Sequence, residues 1–168
     1  MTRNGLDVVS LKGSANEGQP FEWTLGREGD TRVLRLFADA GGALIRFAGI
    51  YSRIAGGSLI IDYSGPVGEM GTGVAVLREF RLVNETALKP ALEGSSPRDG
   101  MTQANAQSTN DMHFTQLRIP FRQQDWVVTI DDAALRGALI GATAGGTINI
   151  AGGKMAISGT LIRSDGTT

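Results

Sequence analysis

Short apolar runs with a period of two, broken by glycine, recur along this chain and confine it to a β-rich fold. Phe21, Trp23 and Leu25 alternate with Glu22 and Thr24, the spacing that sends successive side chains to opposite sides of a strand. Val9 and Leu11 share one phase of a strand over 7–12. Residues 26–30, Gly-Arg-Glu-Gly-Asp, are a hairpin turn signal. A strand over 31–38 follows, and further strands are predicted at 58–63, 74–83, 112–122, 125–131, 147–150 and 155–162. Glycine fills 24 of the 168 positions, about twice its ordinary share of ~7%, as many short strands and tight turns require.

Helical spacing interrupts this pattern. Leu44, Phe47, Ala48, Tyr51 and Ile54 fall on one helical face with Arg46 and Arg53 opposite, which predicts a helix capped by Asp39 and ended by Gly56-Gly57. Asn84 is expected to cap a second helix over 85–92 that Gly94 closes, and 133–140 reads as a helical turn. The polar stretch 95–111 offers little apolar burial to offset its ordering entropy, which predicts a mobile loop. The expected fold is therefore mainly β: a curved antiparallel sheet, groove- or sandwich-like, with two or three short helices, forming one domain over 1–168. Residues 55–61, Ala-Gly-Gly-Ser-Leu-Ile-Ile, echo 144–150, Ala-Gly-Gly-Thr-Ile-Asn-Ile, and hint at two duplicated helix–Gly-Gly–strand units.

Charge and chemistry-bearing residues exclude more than they suggest. Sixteen basic against 17 acidic residues leave a net charge of −1, and the 13 arginines are scattered singly, so no electrostatic footprint for nucleic acid exists. No run of 18 apolar residues is present to span a bilayer as a helix, and the N-terminus lacks a charged segment followed by an apolar one. The absence of Cys removes disulfides, thiolate metal sites and thiol nucleophiles, and is compatible with cytosol or periplasm. His113 is the single histidine; it reads as structural or exposed rather than as a metal ligand or base. Gly68, Gly71 and Gly73 reverse the order of the dinucleotide fingerprint and stand between strands, so they read as a hairpin loop. Gly152-Gly153-Lys154 lacks the upstream glycine of a phosphate loop and also reads as a hairpin turn. Asp125, Asp131 and Asp132 are better explained by a cap on the turn at Ala133 and by solvation than as an acid–base pair. Asn84-Glu85-Thr86 matches a glycosylation sequon, though Asn84 fits a cap. No catalytic constellation emerges, and the reading is of a non-enzyme without cofactor or metal.

Several predicted strands are dense in apolar residues, in both phases at Leu59, Ile60, Ile61; Val74, Val76, Leu77; and Trp126, Val127, Val128, and in one phase at Leu117, Ile119, Phe121. An antiparallel sheet with one solvated face alternates more cleanly. Either a second layer covers the sheet or its second face meets something apolar, such as lipid chains or another segment of a longer protein.

The residues resemble a known family. Asp39-Ala40-Gly41-Gly42-Ala43-Leu44, Gly49-Ile50-Tyr51 and Ile54-Ala55-Gly56-Gly57-Ser58-Leu59 resemble the helix–Gly-Gly–strand signature of the AsmA-like C-terminal domain, found in large envelope proteins of Gram-negative bacteria, including the YhdP-type and TamB-type relatives. Gly73, Phe80-Arg81-Leu82-Val83-Asn84, Leu88 and Leu92 are similar to the next strand and helix. Met101-Thr102, Ala104-Asn105-Ala106, Phe114, Leu117, Phe121, Ile130, Ala133, Leu135-Arg136-Gly137, Ile140-Gly141-Ala142-Thr143 and Gly146-Thr147-Ile148 are similar to the C-terminal part. The similarity spans about 30–162. The family's Pro-x-Tyr-x-x-Asn stretch after the last strand is replaced here by Arg163-Ser164-Asp165, and its N-terminal membrane anchor and long β-rich body are absent, so the chain is expected to be part of a longer protein.

The resemblance implies a periplasmic, inner-membrane-anchored protein that moves phospholipid toward the outer membrane along a curved apolar β-groove. The groove candidates are Leu59, Ile61, Tyr63, Val74, Val76, Ile148, Ile150, Ile157 and Leu161, with the phase facing lipid left open. The rival expectation is an assembly module that pairs by strand addition with neighbouring β-segments or outer-membrane proteins.

Overall fold

A computed structural model describes residues 8–15, 18–86, 111–138 and 140–163. Nine antiparallel strands form one sheet in strict chain order: β1 (Val9–Ala15), β2 (Gln19–Glu28), β3 (Thr31–Ala38), β4 (Ile54–Pro66), β5 (Gly71–Val83), β6 (Asp111–Gln124), β7 (Val127–Gly137), β8 (Ile140–Asn149) and β9 (Lys154–Arg163). A single helix among the described residues, α1 (Gly41–Phe47), joins β3 to β4. The fold is mainly β, as expected. It is one open meander among the described residues rather than a sandwich, with β1 and β9 as its edges.

The helical expectations shrink for identifiable reasons. α1 ends at Phe47, and Ala40 precedes it without a side-chain cap, so Asp39 does not serve as one. Ile54 opens β4 instead of closing a helix, and Gly56-Gly57 lie inside that strand. Residues 133–137 belong to β7, paired on both sides, and Ile140 opens β8. Of the helix expected over 85–92, residues 87–92 lie outside the described residues, as does the loop expected at 95–111 apart from Asp111, which begins β6.

Irregularities fall together across β4, β5 and β6 toward the α1 end of the sheet. Gly56 and Gly57 have φ of 69° and 79°, Glu79 on β5 has φ of 51°, and the β6–β7 register shifts between Phe114 and Gln116. An extra residue re-aims the strand and increases its twist. Beyond this line the alternation resumes in the other phase, so that Phe80 and Phe114 join Leu59 and Leu77 in the core with Ala38 and Ile54. The Phe80 and Phe114 rings stack with centroids 5.4 Å apart. α1 closes over this end: a Cβ on Gly41 would stand 2.6 Å from Leu59 Cβ and 2.7 Å from Leu77 Cδ1, and one on Gly42 would meet the Gly56 carbonyl at 2.6 Å. Only glycine permits that approach.

The Gly-Gly echo survives in a different form. Gly145-Gly146 lie inside β8, as Gly56-Gly57 lie inside β4, and each pair faces a neighbouring strand at an irregularity. Opposite Gly145, β7 bulges between Ile130 and Ala133. Neither pair marks a helix-to-strand turn.

Candidate functional site

Residues directly opposite one another in an antiparallel pair project to the same face, so the register sorts every strand residue. One row runs Phe21, Ala38, Leu59, Leu77, Leu117, Leu135, Ala142, Leu161 across eight strands. A parallel row runs Val9, Leu25, Leu34, Tyr63, Gly73, Phe121, Ile130, Gly146, Ile157 across all nine. Between them lie Leu11, Trp23, Leu36, Ile61, Ala75 and Ile119. No charged side chain interrupts these rows. The opposite face carries Lys12, Glu22, Arg35, Asp62, Arg78, Arg118 and Arg136 among its residues.

The two faces divide the groove candidates. Leu59, Ile61, Tyr63, Ile148, Ile157 and Leu161 share the apolar face. Val74 and Val76 pair with Asp62 and Ile60 and project to the charged face, where Phe37, Ile60 and Val76 make a small apolar island beside Glu22 and Arg118. That island accounts for Ile60 and Val76 in the second phase, and Val127 projects to the same face opposite Gln124. Ile150 lies past the end of β8, in the turn before β9. The sequence reading missed Leu34, Leu36, Ile119, Phe121 and Ile130; their signal was the period of two in phase with Leu59 and Ile61, and only the register aligns one strand's phase with the next.

Burial grades along this face. Leu59 and Leu77 are buried under α1, Ile61 and Leu117 are half-buried against the same cluster, and every residue of β9 is exposed. Over β5 the face is thinned by Gly73: a Cβ there would lie 2.4 Å from the Phe121 ring. The Tyr63 and Phe121 rings stack across the gap, 6.2 Å apart and 2° from parallel, leaving a flat aromatic floor.

Polar chemistry stays on the surface. No polar or charged side chain is buried, and no group of three metal-ligating side chains exists, among the described residues. Asp131 caps no helix; it takes bonds of 2.7 and 2.5 Å from the Arg122 guanidinium across β6 and β7, which hold its carboxyl below the usual range. His113 is exposed on β6, 3.8 Å from exposed Glu79. Asn84 has φ of 54° and its carbonyl accepts from Arg53. Of the glycine-rich motifs, Gly68 lies in the turn of residues 67–70 that joins β4 to β5, whereas Gly71 and Gly73 are inside β5 and paired with β6; in the β8–β9 turn Gly152 donates to Asn149 Oδ1 at 2.8 Å. Tyr51 donates to the Glu85 carboxylate, and burial together with this bond pushes the phenol up to about 12.

Comparison with protein-family models, curated proteins and solved structures finds no match to this chain.

Proposed function

We propose that this chain is a non-enzymatic segment of an envelope lipid-transfer protein, and that its apolar sheet face shields phospholipid acyl chains between inner and outer membrane. The observation that carries this reading is the registration of uncharged, mostly large apolar side chains on one face of nine consecutive strands. Each acyl CH₂ removed from water contributes about 0.8 kcal/mol, so such a face holds a chain without any reactive group. The irregular line across β4, β5 and β6 supports this reading, because such irregularities bend strands as a groove would need. The resemblance of residues 30–162 to the AsmA-like C-terminal domain supplies the periplasmic setting and the phospholipid cargo.

Mass spectrometry of the protein extracted without denaturant tests this. Phospholipid retained by the wild type and lost from Leu161→Asp is the expected result. A lipid-free wild type after extraction from lipid-replete cells overturns it.

A second reading draws on the β9 edge. Its ten residues contain no Pro and no bulge, and the charges stand only at Lys154 and Arg163. Such an edge accepts another strand, so the same segment extends by pairing with a neighbouring β-segment, which prolongs the apolar face.

A further inference from the structure

In a meander, alternate turns gather at one end of the sheet. The β2–β3, β4–β5, β6–β7 and β8–β9 hairpins therefore all close at the end away from α1. Hairpin tips of a water-soluble sheet are ordinarily polar. The β2–β3 tip, at Glu28, Gly29 and Asp30, is polar, but the other three are not: Met70 is 46% exposed, Trp126 65% and Ile150 54%, and Val67 and Met155 stand beside them, also exposed.

The tips are fixed relative to one another. The Val67 N–H donates to the Asp30 carbonyl at 2.8 Å, and the Ile150 N–H donates to the Trp126 carbonyl at 2.8 Å. Met70 shares a hollow of about 280 Å³ with Gln124, Asp125 and Val127. The apolar face runs out onto this rim through the paired residues Val128, Ile148 and Met155.

We propose that this rim docks on a bilayer, with Trp126, Met70 and Ile150 seated in the interfacial layer, so that lipid enters or leaves the apolar face directly beneath them. This rests on the lipid-shielding reading given above. Tryptophan suits the site because its ring has an apolar body and an N–H that stays among polar headgroups. Three neighbouring tips bury their apolar side chains together, which one exposed side chain does not achieve. The charges select the surface. Arg27 pairs with Asp30 at 3.4 Å, and among the other charges near the tips Glu28, Glu69 and Asp125 outnumber Arg32 and Lys154. The rim therefore favours a zwitterionic surface over an anionic one.

The test uses the full chain with Trp23→Phe, which leaves Trp126 as the sole tryptophan, and phosphatidylcholine vesicles. Trp126 emission is expected to shift blue and to be quenched by phosphatidylcholine brominated near the carbonyl end of its chains. Trp126→Ser and Met70→Ser, each in the otherwise native chain, are expected to weaken vesicle co-sedimentation roughly five- to ten-fold, since each withdraws about one half-buried apolar side chain from the bilayer. Replacing a third of the lipid with phosphatidylglycerol is expected to leave binding no tighter.

Uptake of a monomeric short-chain phosphatidylcholine separates the two proposals. It is expected to be unchanged in Trp126→Ser and Met70→Ser and abolished in Ile157→Asp. Uptake with no vesicle binding, or vesicle binding indifferent to both rim substitutions, overturns the docking proposal while the shielding reading stands. Vesicle binding with no uptake overturns the shielding reading and leaves the docking in place.

Discussion

Leu77 and Ile157 lie on the same face of the same sheet, yet an aspartate at each has opposite consequences. Leu77 is 2% exposed, flanked by Leu59 and Leu117 and capped by the Gly41 backbone of α1. Truncating such a leucine costs about 2–5 kcal/mol, and an unpaired carboxylate adds a desolvation penalty or takes up a proton instead. The total approaches the ~5–15 kcal/mol that holds a domain together, so Leu77→Asp is expected to unfold the protein or bring it to the edge of unfolding. Ile157 is 45% exposed on the last strand. Full burial of an isoleucine contributes about 1.5–3 kcal/mol, so roughly half of that, about 1 kcal/mol, is lost in Ile157→Asp, and its carboxylate stays hydrated. Urea melts followed by circular dichroism measure both, with Leu77→Ala as the cavity-only control. The argument fails if Leu77→Asp melts within about 1 kcal/mol of wild type, or if Ile157→Asp is as damaging as Leu77→Asp.

Two further outcomes follow from local geometry. Gly57→Ala is expected to lower the melting midpoint sharply, because its φ is +79° and the new Cβ would meet the Arg78 carbonyl at 2.7 Å; Gly152→Ala, whose nearest neighbour is Asn149 at 3.4 Å, is expected to be nearly silent in the same melt. In a Tyr63→Phe background, ultraviolet titration of Tyr51 is expected to centre near pH 12, and Glu85→Gln to bring it back toward the ordinary value of about 10. Because the fold favours the neutral phenol, its contribution to stability is complete below pH ~10 and is lost as pH rises through about 12.

The strands were legible because alternation survives in most of them, and the turns because Gly29, Gly68 and Gly153 adopt the positive φ that tight hairpins use. The helix expected through Ile54 was not, since Leu44, Tyr51 and Ile54 satisfy helical spacing across what is a short helix, a turn and a strand start. Gly56-Gly57 do require left-handed backbone, as a helix end would, but the requirement comes from a mid-strand irregularity. Residues 133–137 favour helix by composition and become strand because β6 and β8 pair with them on both sides. The apolar face was half legible. Leu59, Ile61 and Tyr63 fall together on the apolar face, whereas Val74 and Val76 fall on the other, because β5 is apolar in both phases and only its pairing with Asp62 and Ile60 assigns them.

Alternation along β9 offers the most direct measurement. Ile157 and Leu161 belong to the apolar face, while Ser158 and Thr160 project to the other side of the same exposed strand. A photoreactive side chain placed at each of the four positions in turn, and illuminated in cells, samples what lies against either face. Phospholipid cross-linked from 157 and 161 and absent from 158 and 160 is the predicted result. Equal labelling from all four positions, or labelling from 158 and 160 alone, contradicts an apolar face that shields lipid.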